Sequence, residues 1–241
     1  MNVYLDNNIL IEIEDGKYRV SDFLSVEKAL YHYSDVHMSE LLEARGNDKI
    51  SQKGRLNLIS QLCDKNYIVT GVLNPPEFME ESVEDAYKLS DNPIRQKLAQ
   101  MACNDVPYTR IREVLDLRSS EFNNTPCEEV LSIVDSRMKE KLGMSLMTYL
   151  VASEAYGGKP LYYTLLKLID TSNYWPEKKT QRSNIALLYD AAHAYSAQIC
   201  DVLVTNDKRM SEKVTAIYCF LGIKTKIQTA DDYLTVYGKK Y

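Results

Sequence analysis

The sequence predicts an α/β fold with a central, mostly parallel sheet of about five strands flanked by helices. Short apolar runs suited to strands recur near residues 2–5, 31–34, 67–70, 201–205 and 223–227. Helical patterns with three- and four-residue apolar spacing lie between them, which is the interleaving that parallel strands require. The most informative stretch runs from Asp190 to Met210. It reads as an Ala-rich helix that Ser183 or Asn184 can cap, then a buried strand at Val202–Thr205, a polar turn at Asn206-Asp207 and a new helix from Lys208.

The 241 residues are expected to form a single domain, 1–241. An apolar share of 45% and a charged share of 26% are ordinary for a globular chain. No uncharged apolar run approaches the roughly 18 residues of a membrane span, so no membrane partner is expected. The opening residues lack the basic start and apolar core of a signal peptide. Cys63, Cys103, Cys127, Cys200 and Cys219 are odd in number, widely spaced and without a C-x-x-C pair. That pattern indicates reduced thiols in a cytoplasmic setting and argues against a zinc site. The net charge of −5 opposes bulk electrostatic binding of nucleic acid, but not a local basic rim around an acidic centre.

Asn2–Leu5 is read as a buried strand ending at Asp6, which equally suits the cap of a helix from Ile9. Glu14–Lys17 is a turn. Ser25–Leu30 looks helical, and Tyr31–Tyr33 suits a second strand. Ser34-Asp35 then caps a helix over Val36–Ala44, closed by Gly46. Ser51–Lys65 is a further amphipathic helix, and Tyr67–Thr70 a third strand. Between about 75 and 180 the strand signal disappears. Helical patterns at Val83–Leu89, Pro93–Cys103, Thr109–Leu117, Glu128–Leu142 and Ser145–Ala155 mark a helical insertion or subdomain. Gly157-Gly158-Lys159 lacks the spacing of a phosphate-binding loop and reads as a turn. After Lys208, a helix through Gly222 carries Met210, Val214, Ile217 and Phe220 as its buried stripe. Ile223–Ile227 alternates as a half-wet strand, and Tyr233, Leu234 and Tyr237 belong to a last helix.

Parallel strands put their carboxyl ends on one rim. Asp6 and Asp207 follow two such strands, and Glu40 lies in the first turns after the second. Asp190 precedes the fourth strand by about three helical turns, on a helix running back to the same rim. Asp201 begins that strand, roughly 13 Å or more from Asp207, and is read as a structural hydrogen-bond acceptor. Four clustered carboxylates raise one another's pKa unless a cation neutralises them. A hard ion such as Mg²⁺ or Mn²⁺ suits an all-oxygen site, where it activates water against phosphorus.

The pieces Val3–Asn8, Tyr33–Leu42, Asp190–Ala197 and Asp201–Met210 resemble the acidic motifs of PIN-domain nucleases, the Thr-Asn-Asp turn being the most specific. The resemblance covers the first fifty residues and roughly the last sixty. It implies a PIN-like three-layer fold enlarged by a helical insertion, and a VapC-like endoribonuclease. Asp6, Glu40, Asp190 and Asp207 would then be its catalytic, metal-binding acids and Mg²⁺ or Mn²⁺ its cofactor. Asn7, His37, His193, Thr205, Asn206, Lys208 and Arg209 are placed by spacing to support these acids or touch substrate. For the two histidines, plain packing is the competing reading. RNA is the expected substrate. A structure-specific DNA nuclease and a non-catalytic PIN-like scaffold are the alternatives. An antitoxin or other protein partner, as in a toxin–antitoxin system, and a homodimer are compatible with the sequence.

Overall fold

The computed structural model describes residues 1–43, 49–71, 74–91, 113–117, 122, 125–152, 157–176 and 181–238. Its centre is a six-stranded sheet. The strands are β1 (Asn2–Leu5), β2 (Leu30–Ser34), β3 (Asn66–Val69), β4 (Glu77–Glu80), β5 (Val202–Val204) and β6 (Lys226–Gln228). Their spatial order is β4-β3-β2-β1-β5-β6. All neighbours pair in parallel except β3 and β4.

Among the described residues, helices cover both faces: α1 (Asn7–Glu14), α2 (Val20–Leu24), α3 (Asp35–Glu43), α4 (Lys49–Cys63), α5 (Val83–Ser90), α6 (Cys127–Leu142), α7 (Leu146–Ala152), α8 (Gly158–Thr171), α9 (Gln181–Ala197), α10 (Lys208–Leu221) and α11 (Ala230–Tyr237). Period-two alternation divides each strand between two cores. Val3, Leu5, Val202 and Val204 face the layer built with Ile9, Phe23, Ile59 and Tyr233. Tyr4, Ile68 and Leu203 face the layer built with Val134, Leu165, Ala194 and Ile217. Strands buried on both faces read as continuous apolar runs, which is why β1 and β5 stood out in the sequence.

Three expectations are corrected. The sheet has six strands, not about five, because Glu77–Glu80 forms an antiparallel edge strand in the stretch read as purely helical. All four of its residues are exposed, and two of them are glutamates. A lone Phe-Met pair between acids carries no burial signal. The helix expected over Ser25–Leu30 lies earlier, at Val20–Leu24, and Lys28 has a left-handed φ of 61°, which breaks any helix there. The last strand is Lys226–Gln228 rather than Ile223–Ile227. Gly222 closes α10 at φ 71°, and three residues intervene before pairing begins. The expected helix at Pro93–Cys103, and Gly46 and Cys103, lie outside the described residues; Thr109–Leu117 and Ser145–Ala155 do so in part.

Chain order reverses at β1. The chain moves from β1 outward through β2, β3 and β4, then crosses to the other side of β1 for β5 and β6. The carboxyl ends of β1 and β5 are therefore the topological switch point, the place where open α/β sheets form the crevice that binds ligands.

Candidate active site

Asp6 and Asp207 both stand at this crevice. Asp6 follows β1 directly, is 5% exposed, and caps α1 by accepting the Asn7 amide at 2.7 Å. Both readings of Asp6, strand-end acid and helix cap, are therefore true at once. Asp207 caps α10, accepting the Met210 amide at 3.0 Å, and is exposed. Thr205 joins the two. Its buried hydroxyl donates to Asp6 Oδ2 at 2.7 Å and accepts from the Asp207 backbone N–H at 3.1 Å and from the Asn8 side-chain Nδ2 at 3.0 Å.

Asp190 arrives on α9. Burial and the nearby Asp6 and Asp207 carboxylates hold its carboxyl well above the usual carboxylate range. The Asp6 carboxyl is also raised, first by burial and then by Glu40. Three aspartates and one glutamate, from Asp6 to Asp207 in the chain, are thus linked electrostatically, Asp190 to Asp6 and Asp207 and Asp6 to Glu40.

Glu40 enters it through His193. The imidazole Nε2 donates to Glu40 Oε2 at 2.9 Å and lies 3.8 Å from Asp6 Oδ1. Burial disfavours the charged ring, but Glu40, Asp6 and Asp190 outweigh it and raise the His193 pKa. In the imidazolium both ring nitrogens donate, so Nδ1–H points to the Tyr4 hydroxyl at 2.8 Å and Tyr4 donates in turn to Ser34 Oγ at 2.7 Å. His193 is thus an internal counter-charge set between two acids. His37 stands one layer behind. The Ser34 N–H donates to its Nδ1 at 3.1 Å, which leaves Nε2–H to donate to the Leu5 carbonyl at 2.8 Å. Burial and the neighbouring His193 push its pKa well down, so it is a neutral packing residue that fixes the end of β1.

The two asparagines expected beside the acids turn elsewhere. The Asn7 side chain accepts from Arg55 Nη1 at 2.8 Å. The Asn206 side chain donates to Glu12 and to Tyr18 Oη, and accepts the Ala230 amide at 3.0 Å, tying the turn to α1 and α11. Lys208 and Arg209 are exposed at the start of α10. Asp201 is the acceptor anticipated for it, taking the Asn2 amide at 2.7 Å at the opposite rim.

Three contributors were missed in the sequence. Asn8 secures Thr205, and Tyr4 secures His193. Lys213 is 1% exposed, pairs with Asp170 at 3.1 Å and lowers the Asp190 pKa. It lies three residues after Met210 and four before Ile217, on the buried stripe itself, and a cation in that register was the available signal.

The donor chemistry of this rim fits a hard divalent cation: carboxylate oxygens gathered in excess over cationic side chains, with Asp6 and Asp190 raised by burial and neighbouring acids. The spacing fits less well. Among the described residues, no group of three or more His, Cys, Asp or Glu side chains is disposed to hold a metal ion, and Glu40 is engaged by His193. Compared with family models, with curated proteins and with solved structures, the chain matches none of them.

Proposed function

We propose that the chain is a metal-dependent endoribonuclease of the PIN type. The observation that carries the reading is the gathering of Asp6, Asp190 and Asp207 at the carboxyl-end rim where the strand order reverses, with the Asp6 and Asp207 carboxylates adding to burial in raising Asp190 and Glu40 adding to burial in raising Asp6. Such a cluster is costly without a counter-ion. Asp6, Asp190 and Asp207, which as they stand do not form a three-ligand group, are the carboxylates that would have to draw together on Mg²⁺ or Mn²⁺; the ion would supply an activated water and charge stabilisation at phosphorus. Thr205 orients the Asp6 carboxylate and ties it to the Asp207 backbone. His193 keeps Glu40 beside the cluster.

The test is cleavage of matched RNA and DNA strands with Mg²⁺, with Mn²⁺ and with EDTA. Cleavage of RNA that needs the metal and falls at least about a hundredfold in Asp6→Asn and Asp207→Asn is expected, the scale of losing a preorganised electrostatic group. Undiminished cleavage in both variants removes the proposal, and preferential cutting of DNA replaces its substrate. A toxin role adds growth arrest on expression, relieved by a dedicated protein partner.

A second reading has its own support. The engagement of Glu40 by His193 and the absence, among the described residues, of a grouped ligand set favour a non-catalytic PIN-like scaffold. Calorimetry with Mn²⁺ decides: no binding, or binding indifferent to Asp6→Ala, selects the scaffold.

A further inference from the structure

The acidic crevice by itself repels a phosphate backbone, so a nucleic-acid substrate needs attractive groups close by. One assembly beside Asp207 supplies them. Trp175 is the single tryptophan of the chain and stands in the loop that follows α8. It packs partly buried against the helical core, and the Lys208 ammonium stands 5.0 Å from its ring centroid. Lys208 is the residue directly after Asp207. The loop is held firmly. Asn173 and Trp175 both adopt left-handed backbone, at φ 67° and 48°. Between them the buried Tyr174 donates to Glu212 Oε2 of α10 at 2.9 Å and takes the hydrogen bond of the indole. Non-glycine residues keep such backbone only where surrounding contacts impose it, and these positions gather at functional sites.

We propose that Trp175 and Lys208 form a subsite for one unpaired base and its phosphate, which makes single-stranded nucleic acid the substrate class. The inference rests on the nuclease reading. The base stacks on the indole face that Lys208 now covers, and the displaced ammonium, on a long exposed side chain, moves to the adjoining phosphate. An indole accepts any base, since each has a π-face. A duplex cannot use the slot, because its bases are already stacked within the helix. The helical region thereby acquires a purpose, since it carries the aromatic surface to the rim of the acidic crevice.

The test uses the full chain carrying Asp6→Asn, so that the strand is not cut, and reads the fluorescence of its one indole. A short single-stranded RNA, the DNA of the same sequence and the annealed duplex are titrated in turn. Saturable quenching by the single strands, and none by the duplex, is expected, and the RNA and DNA arms rank the two sugars. Labelled-strand anisotropy then compares variants. Trp175→Ala and Lys208→Gln each weaken binding roughly tenfold, and Trp175→Phe retains most of it, as loss or retention of one stacked base predicts. Lys208→Gln, at an exposed position, and Trp175→Phe keep the test valid if Trp175→Ala fails to fold. Strand binding without any change in indole fluorescence, or equal quenching by duplex, overturns the subsite. Cutting by the unaltered chain with no quenching in the Asp6→Asn chain removes the subsite and leaves the nuclease. Saturable quenching with no cutting of RNA or DNA by the unaltered chain keeps the subsite and removes the hydrolase.

Discussion

Thr205 and Asp6 lie 199 positions apart in the chain and meet in a 2.7 Å hydrogen bond, the hydroxyl donating to the buried carboxylate. This contact makes one unit of the carboxyl ends of β1 and β5. Removing the hydroxyl leaves Asp6 Oδ2 without its donor in a dry setting. Thr205→Val is expected to cost about 1–3 kcal/mol, the scale of an unsatisfied buried acceptor, and to lower cleavage as well. Thr205→Ser should restore most of both. Denaturant midpoints and initial cleavage rates check this.

The acidic cluster sets a pH dependence of stability. Burial and neighbouring acids raise Asp6 and Asp190, so the folded protein keeps protons that the unfolded chain has released. Stability therefore falls as pH rises from the ordinary carboxylate range of about 4 through the raised values. His193, also raised, adds the same sign: its contribution is present below the ordinary histidine pKa of about 6.5 and is lost as pH climbs through the raised value. In chelator, melting temperature should rise as pH is lowered from about 7 toward about 5. Asp190→Asn should flatten that rise, and Mn²⁺ should lift the neutral-pH value most. A melting temperature indifferent to both pH and Mn²⁺ contradicts the arrangement.

On the proposed function, His193 and a bound metal ion would compete for the same negative charge. His193→Gln releases Glu40 and removes a cation from the cluster. Calorimetric Mn²⁺ affinity should increase roughly tenfold, a shift typical of residues that steer metal ligands. Weaker binding in the variant would identify His193 as a support for the ion rather than its rival.

Lys213 is buried against Asp170 and faces the Asp190 charge. Lys213→Met removes the ammonium that pairs with Asp170 and favours the Asp190 charge, and should cost about 3 kcal/mol, as expected when one member of a buried pair is deleted. Lys213→Arg should cost much less. Thermal and urea unfolding of both variants provide the comparison.

The described thiols differ sharply in access. Cys63 and Cys200 are buried and burial pushes both thiols up, while Cys219 is exposed. A maleimide should label Cys219 quickly in the folded protein and reach Cys63 and Cys200 only on unfolding, as mass spectrometry of digested samples would show.

The elements that could be read from sequence were those whose burial dictates composition. β1 and β5 are buried on both faces and therefore continuously apolar. The Asp190 helix carries a charge among alanines, which pointed to its partners. β4 is a short wet edge whose pairing comes from its neighbour rather than from its own residues. The convergence of the candidate acids was readable, because strand ends and helix direction fix which rim each reaches. Its supports were less so. Whether Asn206 faces Asp207 or turns to Glu12, and whether Glu40 meets an ion or His193, depends on packing across elements distant in the chain. Local spacing at Asn206 and Glu40 contains no trace of those choices.

The placement of β1 at the middle of the sheet has a further consequence during synthesis. Asn2–Leu5 leave the ribosome about two hundred residues ahead of the strand on one side of them, Val202–Val204. At roughly 5–20 residues per second that wait lasts about 10–40 s. Until then Asp6 has neither Thr205 nor the aspartates of α9 and the β5 turn around it, so the acidic centre is not yet assembled. Whatever chemistry this centre performs waits until the segment through Asp207 has been translated and has closed onto β1.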